Sequence, residues 1–176
     1  MRFGCPDLRR EARETDPCRR WGWSGGPGPG NHGSLAEAMI ITRELHLRTQ
    51  GHTDAVDITP LVQAAVAEAQ LDAGTVTLFC PGSTAGLTTI EFEDGVVADL
   101  QRVLDEIAPS DRAYRHHLRW GDDNGSAHVR AALVGPSLVV PFAGGRLLLG
   151  TWQQIVFLDF DTGPRSRKVV AQIMGE

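Results

Sequence analysis

The chain has 176 residues, a net charge of −5 and 41% hydrophobic residues, enough for one domain with a real core. The acidic balance argues against a general attraction to nucleic acid or to an acidic membrane surface, and no apolar run is long enough to cross a bilayer. Cys5, Cys18 and Cys80, an odd number at scattered positions, make neither a disulfide framework nor a zinc ribbon; with no apolar N-terminal segment to read as a secretory signal, the expected compartment is cytoplasmic.

Residues 1–38 stand apart. They hold 4 Pro and 7 Gly, with Gly25-Gly26-Pro27-Gly28-Pro29-Gly30 in one cluster. Such a segment buries too little apolar surface to offset chain entropy, so it is expected to be a disordered extension or a stretch upstream of a natural start at Met39. Residues 39–176 are expected to form one domain. That part carries 11 basic and 17 acidic residues, so the acidic balance belongs to it.

From Ile40 to Leu47 the pattern is strand-like, and Gly51 to Asp57 leads into a second strand. A helix begins at Thr59-Pro60, with Thr59 expected as N-cap and Pro60 at the first helical position. Leu61, Val62, Ala65, Val66 and Ala69 give it one apolar stripe. Thr75 to Cys80 is a β-branched and aromatic strand stopped by Pro81-Gly82. Ser83-Thr84-Ala85-Gly86 is a small-residue loop before a strand over Leu87 to Phe92. Asp94-Gly95 opens a second helix, in which Val96, Val97, Leu100, Val103, Leu104 and Ile107 recur at helical spacing. Tyr114 to Asn124 reads as a loop or short strand, and Asn124-Gly125-Ser126 as the entry to a short helical segment closed at Gly135.

Ser137 to Asp161 reads as a β-hairpin reversing at Ala143-Gly144-Gly145. Its second arm runs apolar on both faces through Trp152, Ile155, Val156, Phe157, Leu158 and Phe160, so it is expected to be buried on both faces, Trp152 included. Gly150 is expected to re-aim the chain within that arm. A last strand spans Lys168 to Met174. The order predicts an α+β fold, a twisted antiparallel sheet or sandwich with two covering helices.

Three groups of residues offer chemistry. Tyr114, His116, Asp123, Asn124 and His128 lie within fifteen residues; imidazoles and a carboxylate serve equally as ligands of a divalent metal or as acid–base groups. Their spacing matches no standard zinc template, and a solvated loop with His128 packed on a helix is an equal reading. Ser83 and Thr84 offer hydroxyls and backbone N–H groups to phosphate oxygens, with Glu91 following; a tight turn and a surface glutamate would look the same. Thr151, Gln153, Asp161, Arg165 and Arg167 form the third group, arginine being the bidentate binder of phosphate. Lys168 is the sole lysine, which disfavours Schiff-base chemistry.

Gly150-Thr151-Trp152-Gln153, with Gly145-Arg146-Leu147 before it and Asp161 and Arg165 after it, resembles the signature of the YjbQ-like family, known as secondary thiamine-phosphate synthase enzymes. Tyr114-x-His116, Asn124 and Ala127-His128 stand where that family has Y-x-H, N and A-H, and the Ser83–Gly86 loop with Glu91 is similar to its small-residue loop and glutamate. The resemblance covers about residues 40–176. It implies an α+β homotrimer with polar clefts near subunit contacts, and an activity joining hydroxymethylpyrimidine pyrophosphate to thiazole phosphate with release of pyrophosphate. The expected catalytic residues are His116, His128, Asp123 and Glu91. Ser83, Thr84, Tyr114, Asn124, Thr151, Gln153 and Arg165 are expected to bind the phosphorylated substrate. A divalent metal, Mg or Zn, is expected on His116, His128 and Asp123. The competing expectation is a non-enzymatic homotrimer that binds a metal or small ligand.

Overall fold

The computed structural model describes residues 38–176; the expectation for residues 1–38 falls on a segment that lies, but for its last residue, outside the described residues. Two antiparallel sheets form the framework. The larger contains β1 (Met39–Thr49), β8 (Arg165–Gly175), β3 (Ala73–Phe79), β5 (Ser137–Ala143) and β6 (Arg146–Leu147), in that order across the sheet. The smaller places β7 (Gln154–Asp159) between β2 (Asp54–Asp57) and β4 (Ala85–Ile90). Helices α1 (Thr59–Glu68), α2 (Asp94–Ile107), α3 (His117–Trp120) and α4 (Gly125–Val134) complete the described residues. None of the described helices is long and apolar enough to cross a membrane.

β7 is the centre of the packing. Ile155, Val156, Phe157 and Leu158 are fully buried, each worth about 1.5–3 kcal/mol against exposure. Ile155 and Phe157 face a core shared with Val62 and Val66 of α1, Val76 and Leu78 of β3, Val140 and Phe142 of β5, and Val169 and Ile173 of β8. Val156 and Leu158, with Phe160, face Leu104 of α2 and Ala127 and Ala131 of α4. The period-2 alternation of a strand therefore feeds two cores at once. The α+β architecture is as expected, with α4 added to the covering helices.

The long second arm of the hairpin is in fact two strands. β6 ends at Leu147 in the larger sheet, and β7 starts at Gln154 in the smaller one. The intervening residues cross between sheets, so Gly150 turns the chain outside any strand. Gln153 N–H donates to Gly150 O at 3.0 Å, closing a turn that lifts Trp152 out of the protein. Trp152 is 71% exposed, and its expected burial is corrected: its place in the apolar alternation is not a place in the strand.

Local capping also differs from expectation. Ile58 occupies the N-cap of α1 and makes no side-chain cap bond. Asp57 Oδ1 accepts from Thr59 N–H at 2.8 Å, while Thr59 Oγ1 accepts from Ile155 N–H at 2.8 Å and ties the helix to β7. Helix α2 is capped by Glu93, whose carboxylate accepts from the N–H groups of Gly95 and Val96. Its apolar stripe is only half used: Leu104 is buried, while Val96, Val103 and Ile107 remain exposed.

Candidate functional site

The segment expected to be a loop or strand instead folds as the single turn α3, closed by Gly121 in the left-handed conformation. Its purpose is visible in His117. Nε2 of His117 accepts from the Gly125 N–H at 3.2 Å, capping α4 from outside its own chain entry. Nδ1 is then left to face Asp123 Oδ1 at 3.6 Å. The Tyr114 ring lies 5.4 Å from that of His117, and the Tyr114 hydroxyl donates to Pro109 O at 2.9 Å. Tyr114 also presses on Gly125, where a Cβ would stand 2.5 Å from Tyr114 Cβ. Only glycine fits that approach.

This scaffold brings His116, at the start of α3, against His128 in the opening turns of α4: the ring centroids are 4.5 Å apart. Nε2 of His116 and Oδ1 of Asn124 are buried without a hydrogen-bond partner. Asp122 Oδ1 stands 3.5 Å from that nitrogen, beyond a well-formed bond. Asp123, expected beside the pair, is turned to His117 instead. Among the described residues no three His, Cys, Asp or Glu side chains gather as a metal-holding group.

The Ser83–Gly86 loop lies alongside. Ser83, Gly82 and His128 line one cavity of about 210 Å³ with Ala131, Ala132 and Pro136. Gly82 is close to Arg167, whose Nη1 is 3.8 Å from the point a Gly82 Cβ would occupy. Thr84 is buried behind the loop in a network of charges. Arg167 grips Asp159 bidentately, Nε to Oδ2 at 2.7 Å and Nη2 to Oδ1 at 2.5 Å, and Nη2 also reaches Thr84 Oγ1 at 3.0 Å. Thr49 donates its hydroxyl to Asp159, and Arg165 Nε donates to Asp161 Oδ2 at 2.9 Å. Burial pushes both aspartates up. Hydrogen bonds from Arg167 and Thr49 more than offset this at Asp159, and those from Arg165 and the Thr162 amide hold Asp161 at about 2. Both are carboxylates at neutral pH.

Glu91 and Thr151 are elsewhere. They line a cleft of about 430 Å³ with Asp57, Phe92, Glu93, Trp152 and Gln154. Gln153 serves as a brace: its Oε1 accepts from Gly150 N–H at 3.1 Å and its Nε2 donates to Thr89 Oγ1 at 3.1 Å. One chain thus gathers Ser83, His116, Asn124 and His128, with Thr84 and Arg165 in the charge network behind the loop, and keeps Glu91, Thr151 and Gln153 apart from them.

The model of the family described as UPF0047 protein YjbQ-like matches residues 43–176. The chain belongs to the YjbQ-like UPF0047 family. It is 37% identical over 131 residues to a UPF0047 protein of Archaeoglobus fulgidus, covering 74% of this chain and 99% of that one. It is likewise 37% identical over 136 residues to UPF0047 protein YugU of Bacillus subtilis, covering 77% and 100%. Among solved structures, a YbjQ-like protein of unknown function from Sulfolobus solfataricus P2 superposes with a TM-score of 0.75 at 29% identity, covering 80% of this chain and all of that one. A YjbQ/UPF0047 family protein from Clostridium acetobutylicum gives 0.69 at 39% identity, covering 74% and 98%.

Within this YjbQ-like domain, sequence reasoning missed two functional features. Asp159 carried a signal: a carboxylate inside Phe157-Leu158-Asp159-Phe160 must be buried and therefore needs a cation. The capping role of His117 carried none, because it depends on a contact with Gly125 that only the fold of the 114–125 segment creates. The exposed Trp152 belongs to neither cluster.

Proposed function

We propose that this YjbQ-like chain carries thiamine phosphate synthase-type activity at the His116–His128 cluster and the adjoining Ser83 loop. The observation that carries the reading is the pair of polar atoms buried without a hydrogen bond, His116 Nε2 and Asn124 Oδ1. Native interiors rarely leave such groups unpaired, and where they do, a bound molecule or a catalytic role is the usual reason. The family resemblance supplies the reaction. The thiazole nitrogen forms a C–N bond to the pyrimidine methylene, and the C–O bond to pyrophosphate breaks with its electron pair leaving on oxygen. The leaving group needs its charge neutralised. In this reading Arg167 Nη1 and the Gly82–Ser83 backbone take that charge, and His128 gives a proton to the departing oxygen.

The metal implied by the resemblance fits this chain incompletely. His116 and His128 offer two imidazoles and Asn124 an oxygen, but Asp123 is engaged with His117, and a closed zinc site takes four donors. A homotrimer is part of the same proposal. Val96, Val103 and Ile107 on α2, and Phe79, Val139 and Met174 on the outer face of the larger sheet, are exposed and supply apolar surface of the kind an assembly covers.

The test is purified protein with both substrates and Mg²⁺, with thiamine phosphate quantified against a no-enzyme control. His128→Ala should lower the rate by about 100-fold or more, the usual worth of a placed acid. No product above background, or an unchanged rate in the variant, refutes the reading; tight binding of the pyrophosphorylated substrate without turnover would favour a non-enzymatic binding trimer. Native mass and elemental analysis of the same sample check the trimer and the metal.

A further inference from the structure

We propose that the cavity between α2, the opening of α4 and the turn before β2 binds a neutral, polyhydroxylated ligand of monosaccharide size. It does not rest on the transferase reading, because α4 presents different faces to the two sites. His128 lines the cavity beside the Ser83 loop. Ser126, two residues earlier, lines this one, together with Arg130 one turn further along, as the helical period requires. Ser126 is the residue that points to a ligand. It is 6% exposed, it borders the cavity, and among the described residues its hydroxyl makes no hydrogen bond. A hydroxyl so far withdrawn from bulk water is costly to leave unpaired. A ligand hydroxyl seated in the cavity would give and take the missing bond. The cavity, about 480 Å³, is within the range of small-molecule sites.

The charges around the cavity decide that the ligand is uncharged, because each is already engaged within the protein. Arg130, itself only 6% exposed, pairs with Asp105 at 2.6 Å and donates to Ala108 O and Thr53 Oγ1. Arg102 pairs with Asp99 and Glu106, Asp161 pairs with Arg165 and Arg167, and Asp123 faces His117. A charged ligand would compete with these pairs, whereas a neutral one leaves them whole. What the wall has left to offer is neutral. The hydroxyls of Ser126, Ser110 and Thr162, the His52 imidazole and Gln101 Oε1 all belong to lining residues, and among the described residues none of these groups has a hydrogen bond. They combine donors with acceptors, as the hydroxyls of a polyol require. Phe160 adds carbon surface to the same wall, against which the C–H face of a sugar ring packs. The wall is also held in place. Gln101 Nε2 from α2 donates to Thr53 O at 2.9 Å, and Arg130 Nη1 from α4 donates to Thr53 Oγ1 at 2.7 Å. The turn that carries His52 is thus tied to both helices, which lowers the cost of ordering it around a ligand.

Titration of the full chain in its native assembly tests this, read by saturation-transfer NMR and by the amide shifts of Ser126 and Thr162. The neutral probes are methyl glucoside, ribose and myo-inositol. Glucuronate and glucosamine are the anionic and cationic counterparts. At least one neutral probe should bind and move both amides, and it should bind more tightly than either charged counterpart. Ser126→Ala, which suits a helix, should weaken it about 3- to 10-fold, the worth of one buried hydrogen bond. Thr162→Val, at the exposed rim, should weaken it about 2- to 3-fold and serves as the second variant should Ser126→Ala not fold. Binding by none of the three neutral probes, tighter binding of glucuronate or glucosamine, or undiminished binding to a folded Ser126→Ala variant overturns the inference. The formation of thiamine phosphate, or its failure, leaves each of these outcomes readable by itself.

Discussion

Replacing Arg167 by Met should destabilise the protein by about 3–5 kcal/mol, the cost of removing one partner of a buried ion pair. Asp159 is fully buried, and Met fills much of the arginine volume, so the loss is mostly electrostatic. What remains for Asp159 is the Thr49 hydroxyl and the Asp161 amide. In a domain of this size that loss corresponds to a fall in melting temperature of about 10–15 °C. Urea denaturation at a constant m-value measures it. The pH dependence gives an independent check. In the wild type both aspartates have depressed folded-state values. Their contribution is fully present above the unfolded value near 4 and is lost as pH falls through the folded one; for Asp161, held at about 2, it is about 2 kcal/mol. In the variant, burial still pushes Asp159 up and Arg167 no longer offsets it. Asp159 therefore takes a proton at higher pH, and once neutral it is cheaper to bury. The deficit of the variant should be largest near pH 7 and should narrow toward pH 3. A deficit below about 1 kcal/mol, or one that does not change with pH, would refute the account of Asp159 as a charge that needs its arginine.

Trp152→Ala should change stability by no more than about 0.5 kcal/mol, as for other surface positions; a loss of about 3–5 kcal/mol, the cost of truncating a buried aromatic, would put the ring back in the core. Gly125→Ala should cost about 1–3 kcal/mol through overpacking against Tyr114 and should also displace His117 from its capping position, so the same denaturation assay, joined to the His117 imidazole shifts in NMR, reads both effects.

Much of the fold was legible because its signals are local. The α2 stripe from Val96 to Ile107 and the doubly apolar run from Ile155 to Leu158 each declare their element by period alone. The division of the 146–159 segment was only half legible: Gly150 signals a change of direction, but apolar residues on both sides of it read as one strand and do not say that the chain changes sheet. Trp152 misled for the same reason. Thr59 showed the limit of capping rules: its hydroxyl was claimed by Ile155, a residue 96 positions away. The histidine cluster was indicated by residue type and by resemblance, yet its partners were not. Asp122 and Asp123 are adjacent, and which faces His116 depends on the left-handed backbone of Asp123, a conformation its own sequence does not demand. His52 and Thr53 make the same point. Both have positive φ, rare for a β-branched residue, and they are held by a bond from Arg130 to the Thr53 hydroxyl at 2.7 Å and one from Gln101 to the Thr53 carbonyl at 2.9 Å.

The order of strands in the larger sheet also governs when this protein can fold during its synthesis. β8 lies between β1 and β3 and pairs with both. As the chain leaves the ribosome, β1 emerges before the other strands and has no partner until β8 is made. β3 can pair with β5 but keeps one open edge for the same interval. Open strand edges invite pairing with other chains, and on a polysome those chains are copies of this one at the same stage. Emergence of β8 is thus the event that closes the sheet. A ribosome stalled before β8 would hold a nascent chain with two exposed templates in place of one closed sheet.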